Sequence, residues 1–197
     1  MACSLRLSGI VEDSIVDGPG LRLSVFVQGC PHHCPGCHNP QTHDFNAGYE
    51  MDLLDIFRKY TENPLLAGVT FSGGEPFCQA GPLARLGALI HERGGEVITY
   101  TGYLYEDLAS RAAADQDIAG LLAVTDLLID GPYIDSLRSL DSPFRGSSNQ
   151  RLLLMRSGRS EGPAPEPLTL PLSLMKPCPE SADSPVPSGS FGQTDTK

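Results

Sequence analysis

The hydrophobic period switches back and forth along the first 156 residues, which commits the chain to strands alternating with helices. Leu5 to Val11 and Leu21 to Gln28 carry strand patterning; in the second, Leu21, Leu23, Val25 and Val27 alternate with Arg22, Ser24 and Phe26. Asp52 to Asn63 places Leu53, Leu54, Phe57 and Tyr60 on one helical face and stops at Pro64. Gly68 to Ser72 is a short apolar strand, and Pro82 to Arg93 a helix ended by Gly94-Gly95. Glu96 to Tyr100 is a strand, Glu106 to Ala114 a helix, and Asp126 to Ile129 and Arg151 to Arg156 complete the strands. Such alternation predicts an α/β fold of βαβ units with a mainly parallel sheet. The region is too short for eight βα units of usual size. An open, partial (βα) barrel is therefore expected.

The pattern stops at Ser157. From there to Lys197 lie eight of the 17 prolines and a single aromatic residue, Phe191. A stretch of that composition cannot bury enough apolar surface to offset its ordering entropy. The expected division is a folded domain over 1–156 and a disordered Pro/Ser-rich tail over 157–197. A net charge of −10 without a local basic patch argues against a nucleic-acid partner. No uncharged apolar window reaches membrane-spanning length, and the N-terminus lacks a basic region followed by an apolar run. A cytoplasmic protein with no membrane contact is the expectation.

In a reducing compartment clustered cysteines bind metal or do chemistry rather than form disulfides. Three of the six, Cys30, Cys34 and Cys37, fall within eight residues, whereas Cys3, Cys78 and Cys178 stand alone and read as small apolar or inert thiols. The loop Gly29-Cys30-Pro31-His32-His33-Cys34-Pro35-Gly36-Cys37-His38-Asn39-Pro40 can wrap a compact metal centre, its prolines and glycines setting the turns. Spacing alone leaves two metals open. Zinc would take a fourth ligand from His32, His33 or His38; an iron–sulfur cubane with three cysteines would leave one iron free of protein ligands. The cysteine loop, Gly73-Gly74-Glu75 and Asp130-Gly131-Pro132 each follow a strand, so in an α/β fold they converge on one mouth.

Cys30-x-x-x-Cys34-x-x-Cys37 resembles the signature of the radical S-adenosylmethionine superfamily. Ser72-Gly73-Gly74-Glu75-Pro76 resembles that family's second motif. The resemblance implies a 4Fe–4S cluster on the three cysteines, with S-adenosylmethionine chelated at the open iron. It implies that Gly73, Gly74 and Glu75 receive the methionine amino group and that Gly36, Cys37 and His38 lie near the adenine. Most members carry an aromatic residue just before the third cysteine; here Gly36 stands there.

The cysteine loop with Asp44-Phe45, Tyr100-Thr101-Gly102-Tyr103, Asp126 to Tyr133, and Phe144-Arg145-Gly146-Ser147-Ser148-Asn149-Gln150-Arg151 look like blocks of anaerobic ribonucleoside-triphosphate reductase-activating proteins. That likeness implies a one-electron donor of flavodoxin or ferredoxin type and cleavage of S-adenosylmethionine to methionine and a 5′-deoxyadenosyl radical. The radical would take a hydrogen atom from a glycine Cα of the partner reductase, so no general acid or base is required. Arg145 and Arg151 are expected to face that partner. Two alternatives stand beside this reading: an activator of another glycyl-radical enzyme, such as the pyruvate formate-lyase type, and a zinc-binding module without catalysis.

Overall fold

The computed structural model describes residues 4–139 and 142–155; the expected tail, Arg156, Cys3 and Cys178 lie outside the described residues. Strands β1 (Ser4–Ser14) and β2 (Arg22–Val27) pair antiparallel, and β3 (Tyr49–Asp52) joins the far edge of β1. There follow α1 (Leu53–Glu62), β4 (Gly68–Gly73), α2 (Ala80–Glu92), β5 (Glu96–Tyr100), α3 (Tyr105–Ala112), α4 (Gln116–Val124), β6 (Leu127–Asp130) and β7 (Arg151–Leu154). They build a seven-stranded sheet in the order β3-β1-β2-β4-β5-β6-β7. β2, β4, β5 and β6 are parallel, while β1 and β7 pair antiparallel with β2 and β6. Because β3 is antiparallel to β1, it runs with β2, and all but β1 and β7 share one direction.

Local chemistry sets the helix ends. Asp52 caps α1 by accepting from Leu54 N at 2.8 Å, and Asp115 caps α4 by accepting from the amides of Asp117 and Ile118. The inward stripe of α1 is Leu53, Ile56 and Tyr60; Leu54, expected on it, is exposed. Helix α4 and strand β3 are additions to the sequence reading. α4 is nearly apolar all round and carries Gly120, so it lacks a clear 3.6-residue alternation. β3 is four largely polar residues at the sheet edge.

The sheet has two unlike faces. Val97 and Leu128 join the main core beneath the helices, with Leu83, Leu86, Ile90, Leu108 and Ile118. Their neighbours Ile98, Leu127 and Ile129 point the other way and pack with Leu152, Tyr100 and Phe144 in a smaller cluster. Each fully buried Leu or Ile of the main core contributes about 1.5–3 kcal/mol of transfer free energy. Arg22, on the second face, is fully buried. It donates to the carbonyls of Val69 and Glu96, both at 2.9 Å, and to Thr70 Oγ1 at 2.8 Å. A buried cation is tolerable only with its donors so satisfied.

Candidate metal centre

The cysteine loop leaves the C-terminal end of β2 and is closed upon itself. Gly29 N donates to Thr42 O at 2.8 Å and Cys30 N to His43 O at 3.2 Å. The Gln28 amide spans the base, donating to the carbonyls of Gln41 and Asp44 at 3.0 and 2.7 Å. Residues 40–42 form a 3-10 turn that starts at Pro40, whose missing N–H costs nothing in that position. His33 holds a left-handed φ of 47° between the first two cysteines, its ring edge-on to His43 at 4.8 Å.

All three cysteines line one cavity of about 840 Å³, together with Gly73 and Gly74 from the turn after β4. Cys30 is buried, while Cys34 and Cys37 are half-buried. Burial pushes the Cys30 thiol up, and the nearby Glu75, Cys34 and Cys37 add to the rise. The His32 main-chain N–H works against it. Asn39 N donates to Cys37 Sγ at 3.4 Å. N–H groups turned toward the thiols suit sulfurs that must become anionic to bind metal, so the donor set fits an iron–sulfur cluster. Among the described residues no three His, Cys, Asp or Glu side chains converge on a single-ion position.

The glycine turn is tied to the same loop. Gly74 N donates to Val27 O and Glu75 N to Gly29 O, both at 2.8 Å. Gly74 lies so close that a Cβ there would meet Gly29 O at 2.3 Å, and Gly73 has a φ of +96°. Glycine is therefore required by the approach of two backbones, quite apart from any ligand. The Glu75 side chain, expected to receive the methionine amino group, is fully buried and does not line the cavity. Oε1 accepts from Phe77 N and Thr101 Oγ1, each at 3.0 Å; Oε2 accepts from Gly102 N at 2.9 Å and lies 2.7 Å from His32 Nε2. An ionised carboxylate only accepts, and with Glu75 in that form Nε2 is the donor.

Loops after β6 form the opposite wall. The Tyr133 hydroxyl donates to Asp135 Oδ1 at 2.9 Å, and its ring meets that of His38 at 4.8 Å. The Asp135 carboxylate occupies the space beside Gly36, where a Cβ would meet Oδ1 at 2.6 Å. The backbone there is left-handed, with φ +73°. This is the local reason for glycine before the third cysteine. Arg145 lines the cavity, and its Nε is buried without a partner. Arg151 does not face it: its guanidinium is committed to Asp130 and Glu106, an assignment the motif could not supply.

A strand-end loop of three thiols beside a glycine turn, on a mostly parallel α/β sheet, fits the class of iron–sulfur proteins. The chain belongs to the 4Fe–4S single cluster domain family, which matches residues 16–153. It is 33% identical over 150 residues to the anaerobic ribonucleoside-triphosphate reductase-activating protein of Salmonella typhi, covering 69% of this chain and 90% of that one. The protein of the same name from Enterobacteria phage T4 is 31% identical over 143 residues, or 70% and 86% of the two chains. The pyruvate formate-lyase-activating enzyme of Clostridium pasteurianum is 38% identical over 106 residues, but only 51% of this chain and 44% of that one. Among solved structures, QueE from Escherichia coli covers 50% of this chain and 52% of its own, with 16% identity and a TM-score of 0.41.

Proposed function

We propose that this chain installs a glycyl radical in an anaerobic ribonucleoside-triphosphate reductase, by reductive cleavage of S-adenosylmethionine at a 4Fe–4S cluster. The carrying observation is the cavity shared by Cys30, Cys34, Cys37 and the Gly73-Gly74 turn. That geometry sits in a chain matching 90% of the length of a relative bearing the activity's name. The shorter match to the pyruvate formate-lyase activator makes the ribonucleotide reductase the better-supported partner. In this reading the three cysteines would hold the cluster, and the Gly73-Gly74 turn would receive the methionine amine. Gly36, Cys37 and His38 border the adenosine. Glu75 serves the site from behind the turn. Bound there, the cluster supplies one electron to the sulfonium, which starts hydrogen-atom removal from the partner's glycine.

The catalytic domain spans residues 1–156, and its open sheet is read as a partial barrel. A flavodoxin- or ferredoxin-type protein donates the electron in the cytoplasm, and neither nucleic acid nor membrane takes part. Among the described residues no helix is long and apolar enough to cross a membrane. The test is anaerobic incubation of the reconstituted protein with the candidate reductase, S-adenosylmethionine and reductant, followed by electron paramagnetic resonance. A glycyl-radical doublet that requires all three additions is expected. Release of 5′-deoxyadenosine with no radical on that reductase would redirect the search to another glycyl-radical partner, and colourless protein containing zinc would overturn the reading.

A further inference from the structure

The carboxylate that follows the paired glycines is the most fully engaged polar group near the cavity. Glu75 has no exposed surface and takes four donors from three separate segments. One, Phe77 N, is local and caps the short 3-10 turn after the glycines. Two, Thr101 Oγ1 and Gly102 N, come from the loop after β5. The fourth, His32 Nε2, comes from inside the cysteine loop, between the first and second thiols. Four donors on two oxygens leave little acceptor capacity for an amine, and the side chain does not reach the cavity wall.

His32 is held as firmly as the carboxylate it serves. Its ring packs edge-on against Tyr103 at 4.5 Å, and Arg111 covers the Tyr103 ring at 4.7 Å. Gly102 leaves room for the ring; a Cβ there would meet His32 Cδ2 at 2.5 Å. His32 lies two residues after Cys30 in the same loop, so fixing its ring restrains the chain that carries the first sulfur.

We propose that Glu75 is a positioning residue: through His32 it anchors the cysteine loop, through Thr101 and Gly102 it anchors the loop after β5, and it does not itself touch the cofactor. Its effect on S-adenosylmethionine is exerted through the seating of the cluster and of the glycine turn. The proposal deepens the function given above, since it names how the site of that reading is held.

The test pairs Glu75→Gln with His32→Phe and His32→Gln. Glutamine at 75 turns an N–H toward donors that need an acceptor; glutamine at 32 can still donate toward Glu75, and phenylalanine cannot. In reconstituted protein, iron release to a chelator should be about tenfold faster for Glu75→Gln and His32→Phe, as when an outer partner of a metal ligand is removed. His32→Gln should stay near wild type, and Glu75→Gln combined with His32→Phe should be no worse than Glu75→Gln alone. In cluster-free protein, hydrogen exchange over residues 30–38 should quicken in Glu75→Gln and His32→Phe, and at the Gly102 amide in Glu75→Gln alone. Iron retention and exchange unchanged in Glu75→Gln, with S-adenosylmethionine affinity reduced, would show that the carboxylate meets the cofactor directly. Equal losses in His32→Gln and His32→Phe would overturn the anchoring contact. If Glu75→Gln does not fold, the two His32 variants still decide. The exchange arm holds even if the protein proves to carry no cluster, so failure of the anchor and failure of the proposed function are read separately.

Discussion

Arg151 holds the fully buried carboxylate of Asp130 with two of its nitrogens, Nε donating to Oδ1 at 2.9 Å and a terminal nitrogen to Oδ2. Asp130 Oδ2 also accepts from Tyr105 N at 2.7 Å, and the outer guanidinium nitrogens reach Glu106 at 3.0 and 2.8 Å. The end of β6, the start of α3 and the start of β7 are thereby joined at one point. The last block of the sequence divides accordingly: Arg151 closes the sheet, and Arg145 looks into the cavity.

Arg151→Ala should destabilise the cluster-free protein by about 2–3 kcal/mol, because it strands a buried carboxylate. A fully enclosed pair loses about 3–5 kcal/mol, and solvent access to the arginine lowers the figure. Urea unfolding measures it. A change below 0.5 kcal/mol, the usual range for a surface substitution, would show that the clamp is ornamental.

Arg145→Ala should do the reverse. Its buried Nε has no partner and its guanidinium makes only a long hydrogen bond to the Gln150 carbonyl, at 3.3 Å, so removing the side chain forfeits little folding energy and relieves an unpaired donor. Stability should remain within about 0.5 kcal/mol of wild type. Glycyl-radical yield on the reductase should fall at least about tenfold, the loss expected when 1.4 kcal/mol of charge-assisted recognition is removed. Unchanged spin counts would remove Arg145 from the working surface.

Glu106 supplies a pH signature. Its hydrogen bonds from Arg151 hold its carboxyl below the ordinary value of 4.5. A carboxylate depressed in the folded state stabilises above its unfolded pKa, and that contribution is lost as pH falls through the folded value. The stability difference between wild type and Glu106→Gln should therefore be constant from pH 7 down to about 5 and shrink below about 4.5. Unfolding midpoints measured across that range would contradict the linkage if the gap widened on acidification.

The thiols should separate cleanly. Alanine at Cys30, Cys34 or Cys37 should abolish iron binding, whereas Cys78→Ala should retain it. Cys78 is exposed at the surface, but partial desolvation by the surrounding chain, with help from Glu75 and Cys30, pushes its thiol up from 9.0 to about 11. Its thiolate fraction near pH 8 is then about a hundredfold below that of an unshifted thiol. Iodoacetamide should accordingly label Cys78 slowly. Loss of iron in the Cys78 variant would place it among the ligands, and rapid labelling would show that its thiol is not held up.

Gly36→Ala tests the wall made by Asp135. The left-handed backbone alone costs about 1–2 kcal/mol for a residue with a Cβ, and the carboxylate stands in the way. In an Asp135→Ala background the steric part should vanish and the conformational part remain, so thermal melts should show partial rescue only. Full rescue would mean that the φ of +73° carries no penalty.

What the sequence disclosed was whatever its neighbours along the chain decide. The strands and helices with clear period appear within a few residues of their expected ends, and the cysteine loop opens where β2 stops. α4 escaped because a helix apolar on nearly all sides shows no stripe. The alternation puts Arg22 on the face opposite Leu23, but not its burial among carbonyls of β4 and β5 that lie far along the chain. Glu75 was singled out in the sequence by its motif. Its partners were not, since His32 is 43 residues before it and Thr101 is 26 after. Tertiary hydrogen bonds leave no periodic trace.

The closed base of the cysteine loop bears on the life of the protein in air. Gln28, Gly29 and Cys30 are fastened to residues 41–44 by the chain's own hydrogen bonds, so both ends of the loop are held by contacts other than the thiols. Protein stripped of its cluster by oxygen is therefore expected to take up iron and sulfide again without being unfolded and refolded.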